Sequence, residues 1–215
     1  MIDYESQRAN LVAGLRQKGI SDERLLTAMA RIPRELFVPE SRQEDAYRDV
    51  ALPVAEGQTI SQPYIVALMT ELLALQGDER VLEIGTGTGY QTAILSQLCR
   101  EVVSIERLPA LADAAAERLK TLGCYNVELH TGDGTLGWKP SAPYDAVLVT
   151  AGAPDVPSPL YNQLRIGGRL VIPVGDEESQ KLEVILKRPA GPQVLDAGGC
   201  RFVKLIGDAG WEVAE

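Results

Sequence analysis

Three glycines at alternate positions, Gly85, Gly87 and Gly89, follow the apolar pair Val81-Leu82 and the acid Glu83. A strand that runs into such a turn and out into a helix offers free backbone N–H groups and admits a ligand where a Cβ would block it. The pattern is acidic-x-Gly-x-Gly-x-Gly, and Tyr90 holds the position that would carry the last glycine of a dinucleotide fingerprint. A diphosphate is drawn to a helix N-terminus. A carboxylate beside the glycines instead tolerates a cationic sulfonium and a zwitterionic amino-acid end. The spacing predicts an S-adenosylmethionine pocket formed by Glu83, Gly85, Thr86 and Gly87 at the carboxyl end of a first strand.

Two more acids stand where such a pocket needs them. Glu106 closes the strand Val102-Val103-Ser104-Ile105, 21 residues after Gly85, and is placed to accept hydrogen bonds from both ribose hydroxyls. Asp133 sits between Gly132 and Gly134 at the end of the segment 126–130. With Gly134 it is expected to meet the adenine amino group, against the plainer reading of an Asp-Gly turn. Ser61, within Gly57-Gln58-Thr59-Ile60-Ser61-Gln62-Pro63, reads locally as a helix N-cap with Pro63 in the first turn. The only histidine, His130, has no evident partner for a Ser-His-Asp or Cys-His arrangement and reads as structural.

These residues need a scaffold, and the order of elements supplies it. Strands are expected near 81–84, 102–105, 126–130, 145–150, 169–174, 182–187 and 201–205, with helices at 89–99, 108–122 and 158–165 between the early ones. Alternating strand and helix implies an α/β, doubly wound and mostly parallel seven-stranded Rossmann-like sheet with helices on both faces. The late strands crowd together, so at least one pair there is expected to be antiparallel. The stretch 187–199, with its Pro-Ala-Gly-Pro, reads as a flexible loop. Residues 1–76 form an N-terminal helical and extended segment expected to cover the site, with amphipathic helices at 5–18 and 22–31, the second capped by Ser21, and a further helix over 68–75. Residues 77–215 form the core, in one compact domain overall.

Composition narrows the partners. The chain has 215 residues, 45% hydrophobic and 24% charged, long enough for a substantial core. A net charge of −9 without any Lys/Arg cluster argues against nucleic acid. After the fourth strand there is no Asn/Asp-Pro-Pro-aromatic motif of enzymes that methylate base amino groups. No apolar run reaches membrane-spanning length, and the start lacks the pattern of a signal peptide. Cys99, Cys124 and Cys200 are odd in number and unclustered, so neither a disulfide framework nor a metal site is expected, and cytoplasm is the default location.

Arg34-Glu35-Leu36-Phe37-Val38-Pro39-Glu40, Ala46-Tyr47-Arg48-Asp49, Leu52-Pro53 and Gly57-Gln58-Thr59-Ile60-Ser61-Gln62-Pro63 resemble the N-terminal hallmarks of the protein-L-isoaspartate O-methyltransferases. The resemblance continues through Val81 to Tyr90, Gly132-Asp133-Gly134, Pro143-Tyr144-Asp145, Gln163-Leu164, the run Gly167 to Gly175 and Arg201-Phe202-Val203, in order over nearly the whole chain. The Gly-Gln-Thr-Ile-Ser-Gln-Pro segment is its family-specific part. The resemblance implies a monomeric repair enzyme that methylates the α-carboxylate of L-isoaspartyl residues in damaged proteins and peptides. It implies Ser61 as the active-site residue and Thr59, Ile60 and Gln62 as part of the cofactor and substrate cleft. The competing expectation is a related aspartyl methyltransferase dedicated to one natural-product peptide. Lys204 stands where the family usually has proline, as an exposed strand residue or as a positive contact to an acidic peptide. The tail after Trp211 is short and acidic.

Overall fold

The central strands are buried on both faces, and alternate residues build two layers. Val81 turns to one face of the sheet, Leu82 and Ile84 to the other, and Val147 and Val149 join Leu82 while Ala146 and Leu148 join Val81. Two apolar layers result, one on each side of the sheet. The computed structural model describes residues 2–212. Met1 and residues 213–215, the end of the acidic tail, lie outside the described residues.

The chain begins with helices α1 (Tyr4–Gln17) and α2 (Glu23–Arg31). Asp22 rather than Ser21 caps α2, accepting from Arg24 N at 2.8 Å and Leu25 N at 3.2 Å, while Ser21 Oγ donates to Glu71. Two short 3₁₀ turns lead to a small antiparallel pair, β1 (Leu52–Pro53) and β2 (Thr59–Ile60), and then to α3 (Pro63–Leu73). The expected helix over 68–75 thus starts five residues earlier. Its N-cap position is Gln62, not Ser61, and the cap hydrogen bond comes from outside: Asp49 Oδ1 accepts from Tyr64 N at 2.8 Å.

The main sheet follows as β3 (Arg80–Ile84), β4 (Glu101–Glu106), β5 (Val127–Thr131), β6 (Tyr144–Val149), β7 (Leu164–Gly175), β8 (Gln180–Arg188) and β9 (Gly191–Cys200). Between them lie α4 (Tyr90–Ser96), α5 (Pro109–Thr121) and α6 (Ser158–Gln163). The strand order is β5-β4-β3-β6-β7-β8-β9; the first five are parallel, and β8 and β9 are antiparallel to their neighbours. From β3 the chain winds first outward to β4 and β5, then back across to β6. The crevice beyond the carboxyl ends of β3 and β6 is therefore the natural ligand site of such a sheet.

One expectation is overturned. The seventh strand is β9, inside the stretch read as a loop, and residues 201–205 form no strand; Lys204 makes only a single bridge to Gly152. Pro189-Ala190 forms a tight two-residue hairpin turn, and Gly191, which opens β9, adopts φ +120°, which glycine accommodates. Pro192 needs no N–H on the open side of an edge strand. Because β9 is exposed along most of its length, it carries no apolar alternation for a sequence reading to detect.

The N-terminal helices do not stand apart. Leu15, Leu25, Met29 and Phe37 share one buried cluster with Tyr90, Leu148 and Val171.

Candidate active site

A cavity of about 360 Å³ opens at that crevice. Its floor is Ile84 to Thr88, its far wall Ile105 to Leu108 with Gly134, and its near wall Thr150 and Ala151. Gln58, Thr59, Ile60 and Ser61 close it from one side, and Phe202 to Ile206 from another.

Strand pairing fixes the floor. Gly85 N donates to Ile105 O at 2.8 Å, and Thr150 Oγ1 donates to Gly85 O at 2.7 Å. Gly85 has φ +93°, and a Cβ there would strike Thr150 Oγ1, so this position admits only glycine on both counts. At Gly134 the reason is space alone: a Cβ would lie 2.5 Å from Ile84 Cγ2.

Glu106 reaches from the tip of β4 into this loop. Its Oε2 accepts from Gly87 N at 2.8 Å and its Oε1 from Leu108 N at 3.0 Å. A carboxylate has about four acceptor positions, so two remain for a diol.

Glu83 lies beneath the floor. Standing between Leu82 and Ile84, it faces the opposite side of the sheet, toward α4, and is fully buried. Its Oε2 accepts from Thr92 Oγ1 and Ser104 Oγ, both at 2.6 Å, and Ser104 Oγ is 2.6 Å from Thr86 Oγ1. Its Oε1 is buried with no partner among the described residues. Burial pushes its pKa up to about 7, the two hydroxyls pull it down, and the nearby Glu106 charge adds to the rise.

Of the expected site residues, Thr59, Ile60, Ser61, Gly85, Thr86, Gly87, Glu106 and Gly134 meet around this cavity. Three others do not line it. Glu83 acts through Ser104 and Thr92. Gln62 is one residue beyond the lip, at the start of α3. Asp133 directs Oδ1 to Thr135 N and Oγ1, at 2.8 and 2.7 Å, and Oδ2 to Asp208 N at 2.8 Å, so that it builds the turn carrying Gly134. His130 stacks on Trp138 at 3.7 Å between ring centroids, with Nε2 2.9 Å from Glu128 Oε1. The sequence reading missed Thr150, Met69, Gln91 and the 202–206 wall. Only the wall left a trace, in the Arg201-Phe202-Val203 motif. It is tied in place by Gly152 N to Val203 O and Leu205 N to Gly152 O, each 2.8 Å, and by Gln180 Oε1, which accepts from Phe202 N at 2.8 Å. Among the described residues no cluster of acids, histidines and cysteines could hold a metal ion, and no helix is long and apolar enough to cross a membrane.

A mostly parallel α/β sheet with a glycine turn, and an acid on the next strand holding that turn, is the scaffold of the Rossmann-like methyltransferases. The family description "Protein-L-isoaspartate(D-aspartate) O-methyltransferase (PCMT)" matches residues 6–210, and the chain belongs to this family. It is 53% identical to the protein-L-isoaspartate O-methyltransferase of Syntrophus aciditrophicus over 97% of both chains. It is 52% identical to protein-L-isoaspartate O-methyltransferase 1 of Syntrophobacter fumaroxidans over 99% of this chain and all of that one. A solved protein-L-isoaspartate O-methyltransferase superposes with a TM-score of 0.86 at 32% identity, covering 94% of this chain and 67% of that one. A Plasmodium falciparum structure in complex with S-adenosyl-L-homocysteine shares the fold, with a TM-score of 0.81 at 23% identity over 96% of this chain and 99% of that one.

Proposed function

We propose that the chain repairs damaged proteins by moving a methyl group from S-adenosyl-L-methionine to the free α-carboxylate of L-isoaspartyl residues. The amide nitrogen of the following residue then displaces methanol from the ester to give a succinimide, which water opens in part to normal aspartate. The observation that carries this reading is that the family-specific Thr59-Ile60-Ser61 lip and the glycine turn line one cavity.

The residues present fit the cofactor. Glu106 keeps two acceptor positions for ribose hydroxyls, and the Gly85–Gly87 backbone leaves room for close approach. Glu83 braces Thr86 from below, and its charge, once ionised, favours a cation at the turn. Asp133 sets Gly134 against the adenine end, while Thr59 and Ile60 wall the pocket and Gln62 anchors the lip to α3. When bound, S-adenosylmethionine supplies a methyl group already activated by its sulfonium charge.

The protein then has little proton chemistry to do. A carboxylate with a reference pKa near 4 is ionised at neutral pH and is itself the nucleophile. The Ser61 hydroxyl, free of any capping duty, donates a hydrogen bond to the acceptor carboxylate and fixes its direction of approach. Ile60, Val66, Met69 and Phe202 keep water out. Orientation of this kind contributes up to about 7–11 kcal/mol. His130, stacked on Trp138, has no part in it.

We further infer a cytoplasmic monomer, and the net charge of −9 supports peptides rather than nucleic acid as its substrates. Prolonged incubation of an isoaspartyl peptide with the enzyme and S-adenosylmethionine, followed by chromatography, tests the repair reading. Appearance of succinimide and aspartyl peptide is expected; an isoaspartyl peak that persists unchanged contradicts it.

A further inference from the structure

Arg34 carries a charge that the chemistry above does not use. It is completely buried, in the 3₁₀ turn at 34–37. Its hydrogen bonds go to main-chain carbonyls rather than to a carboxylate: Nε to Ala46 O and Nη2 to Ser61 O, both at 2.8 Å. Its guanidinium lies 4.7 Å from the centroid of the Tyr90 ring. Arg34 Nη1 and the Tyr90 hydroxyl are both buried without hydrogen-bond partners among the described residues.

A cation stripped of water costs several kcal/mol unless its surroundings offset it. Here two carbonyl dipoles and an aromatic face do so in part, and burial still draws the guanidinium below its usual pKa range. A methionine or leucine would fill the same space at less cost. What the guanidinium alone provides is a rigid fork that reaches Ala46 and Ser61 together. Through its bond to Ser61 O and its face on the Tyr90 ring, Arg34 touches the two elements that must meet in the reaction. Ser61 is the lip, and Tyr90 is the residue directly after the glycine turn; both line the cavity.

We propose that Arg34 is the positioning residue of the acceptor lip. Its fork fixes the Ser61 peptide against Tyr90, so that the Ser61 hydroxyl keeps one direction relative to the glycine floor. Its desolvated positive charge also favours an anionic acceptor at that lip. This rests on the reading of Ser61 as the acceptor-binding residue, which methylation of an isoaspartyl peptide by the wild-type enzyme checks separately.

The test compares Arg34→Lys and Arg34→Met. Lysine keeps the charge but reaches only one carbonyl; methionine keeps neither function. Arg34→Lys is expected to lower kcat/KM for an isoaspartyl peptide about tenfold, and Arg34→Met about a hundredfold. The Kd for S-adenosylhomocysteine, read by calorimetry, is expected to stay within threefold in both. Tyr47→Phe serves as the control. It disturbs the nearby clamp in which Arg8 Nε donates to Tyr47 Oη at 2.8 Å and Tyr47 Oη donates to Glu35, and it should lower Tm while leaving kcat/KM unchanged. Wild-type kcat/KM in Arg34→Lys, which answers the question even if Arg34→Met fails to fold, overturns the proposal. So does a cofactor Kd that weakens as much as kcat/KM falls.

Discussion

Glu83 ties the chemistry of the site to the stability of the fold. Its folded pKa of about 7 lies above the unfolded reference value of 4.5. Between those pH values the folded state holds a proton that the unfolded chain has released, so stability falls as pH rises through the window. The loss is complete above pH 7 and amounts to at most about 3 kcal/mol. Glu83→Gln keeps an acceptor for Thr92 and Ser104 without the titration. Relative to wild type, the variant should therefore gain stability between pH 5 and pH 8, as read from urea melts at both values; an equal difference at both assigns the charge cost elsewhere. On the proposed function, Ser61 serves the acceptor and Glu106 the cofactor. Ser61→Ala should cut kcat/KM about tenfold, the worth of one hydrogen bond, with cofactor Kd unchanged. Glu106→Ala should weaken cofactor Kd about ten- to a hundredfold, since it removes both the diol acceptor and the brace on Gly87 N. An unaltered Kd would sink the ribose assignment. Glu106 and the glycines were legible because a strand, a turn and the next strand tip obey local spacing. Asp133 was legible in half: its turn onto Thr135 is the plainer Asp-Gly reading, while its bond to Asp208 N, 75 residues further on, left no local sign.

The lip depends on elements rather than on single contacts. β1 and β2 pair only two residues each, Leu52 with Ile60 and Pro53 with Thr59, so the segment 58–61 needs support beyond that pairing. Arg34 supplies one anchor and Asp49 the other, since Asp49 accepts from Tyr64 N and pairs with Lys18. Asp49→Ala removes the cap of α3 and should cost about 1–2 kcal/mol, read by thermal melts. It should also raise the peptide KM several-fold without changing cofactor Kd; a wild-type KM would show that the lip does not need this anchor. Local sequence offered Ser61 as a cap because serine before Pro63 satisfies every local rule. Asp49 was invisible in that role because the bond spans 15 residues. The same limit explains β9. An edge strand exposed on both faces has no periodicity to read, and Pro-Ala-Gly-Pro signals a break without saying how tight.

Across the whole molecule, the N-terminal segment and the sheet share one apolar cluster, so the lip and the cofactor floor are parts of a single packed body. Strand-helix alternation made the parallel half of the sheet legible. The 202–206 wall was not, because its place depends on bonds to Gly152 and Gln180, which lie far from it in the sequence. The chain matches its curated relatives over nearly their full length. Telling isoaspartate from aspartate is a matter of geometry. An isoaspartyl residue carries its α-carboxylate directly on Cα, in a main chain lengthened by one methylene, whereas aspartate carries a β-carboxylate one methylene out from the main chain. The most direct measurement gives methyl-labelled S-adenosylmethionine to the enzyme with paired peptides that differ only in isoaspartate or aspartate at one position. Base-labile label on the isoaspartyl peptide alone is the expected result; equal label on both peptides, or none on either, contradicts the account.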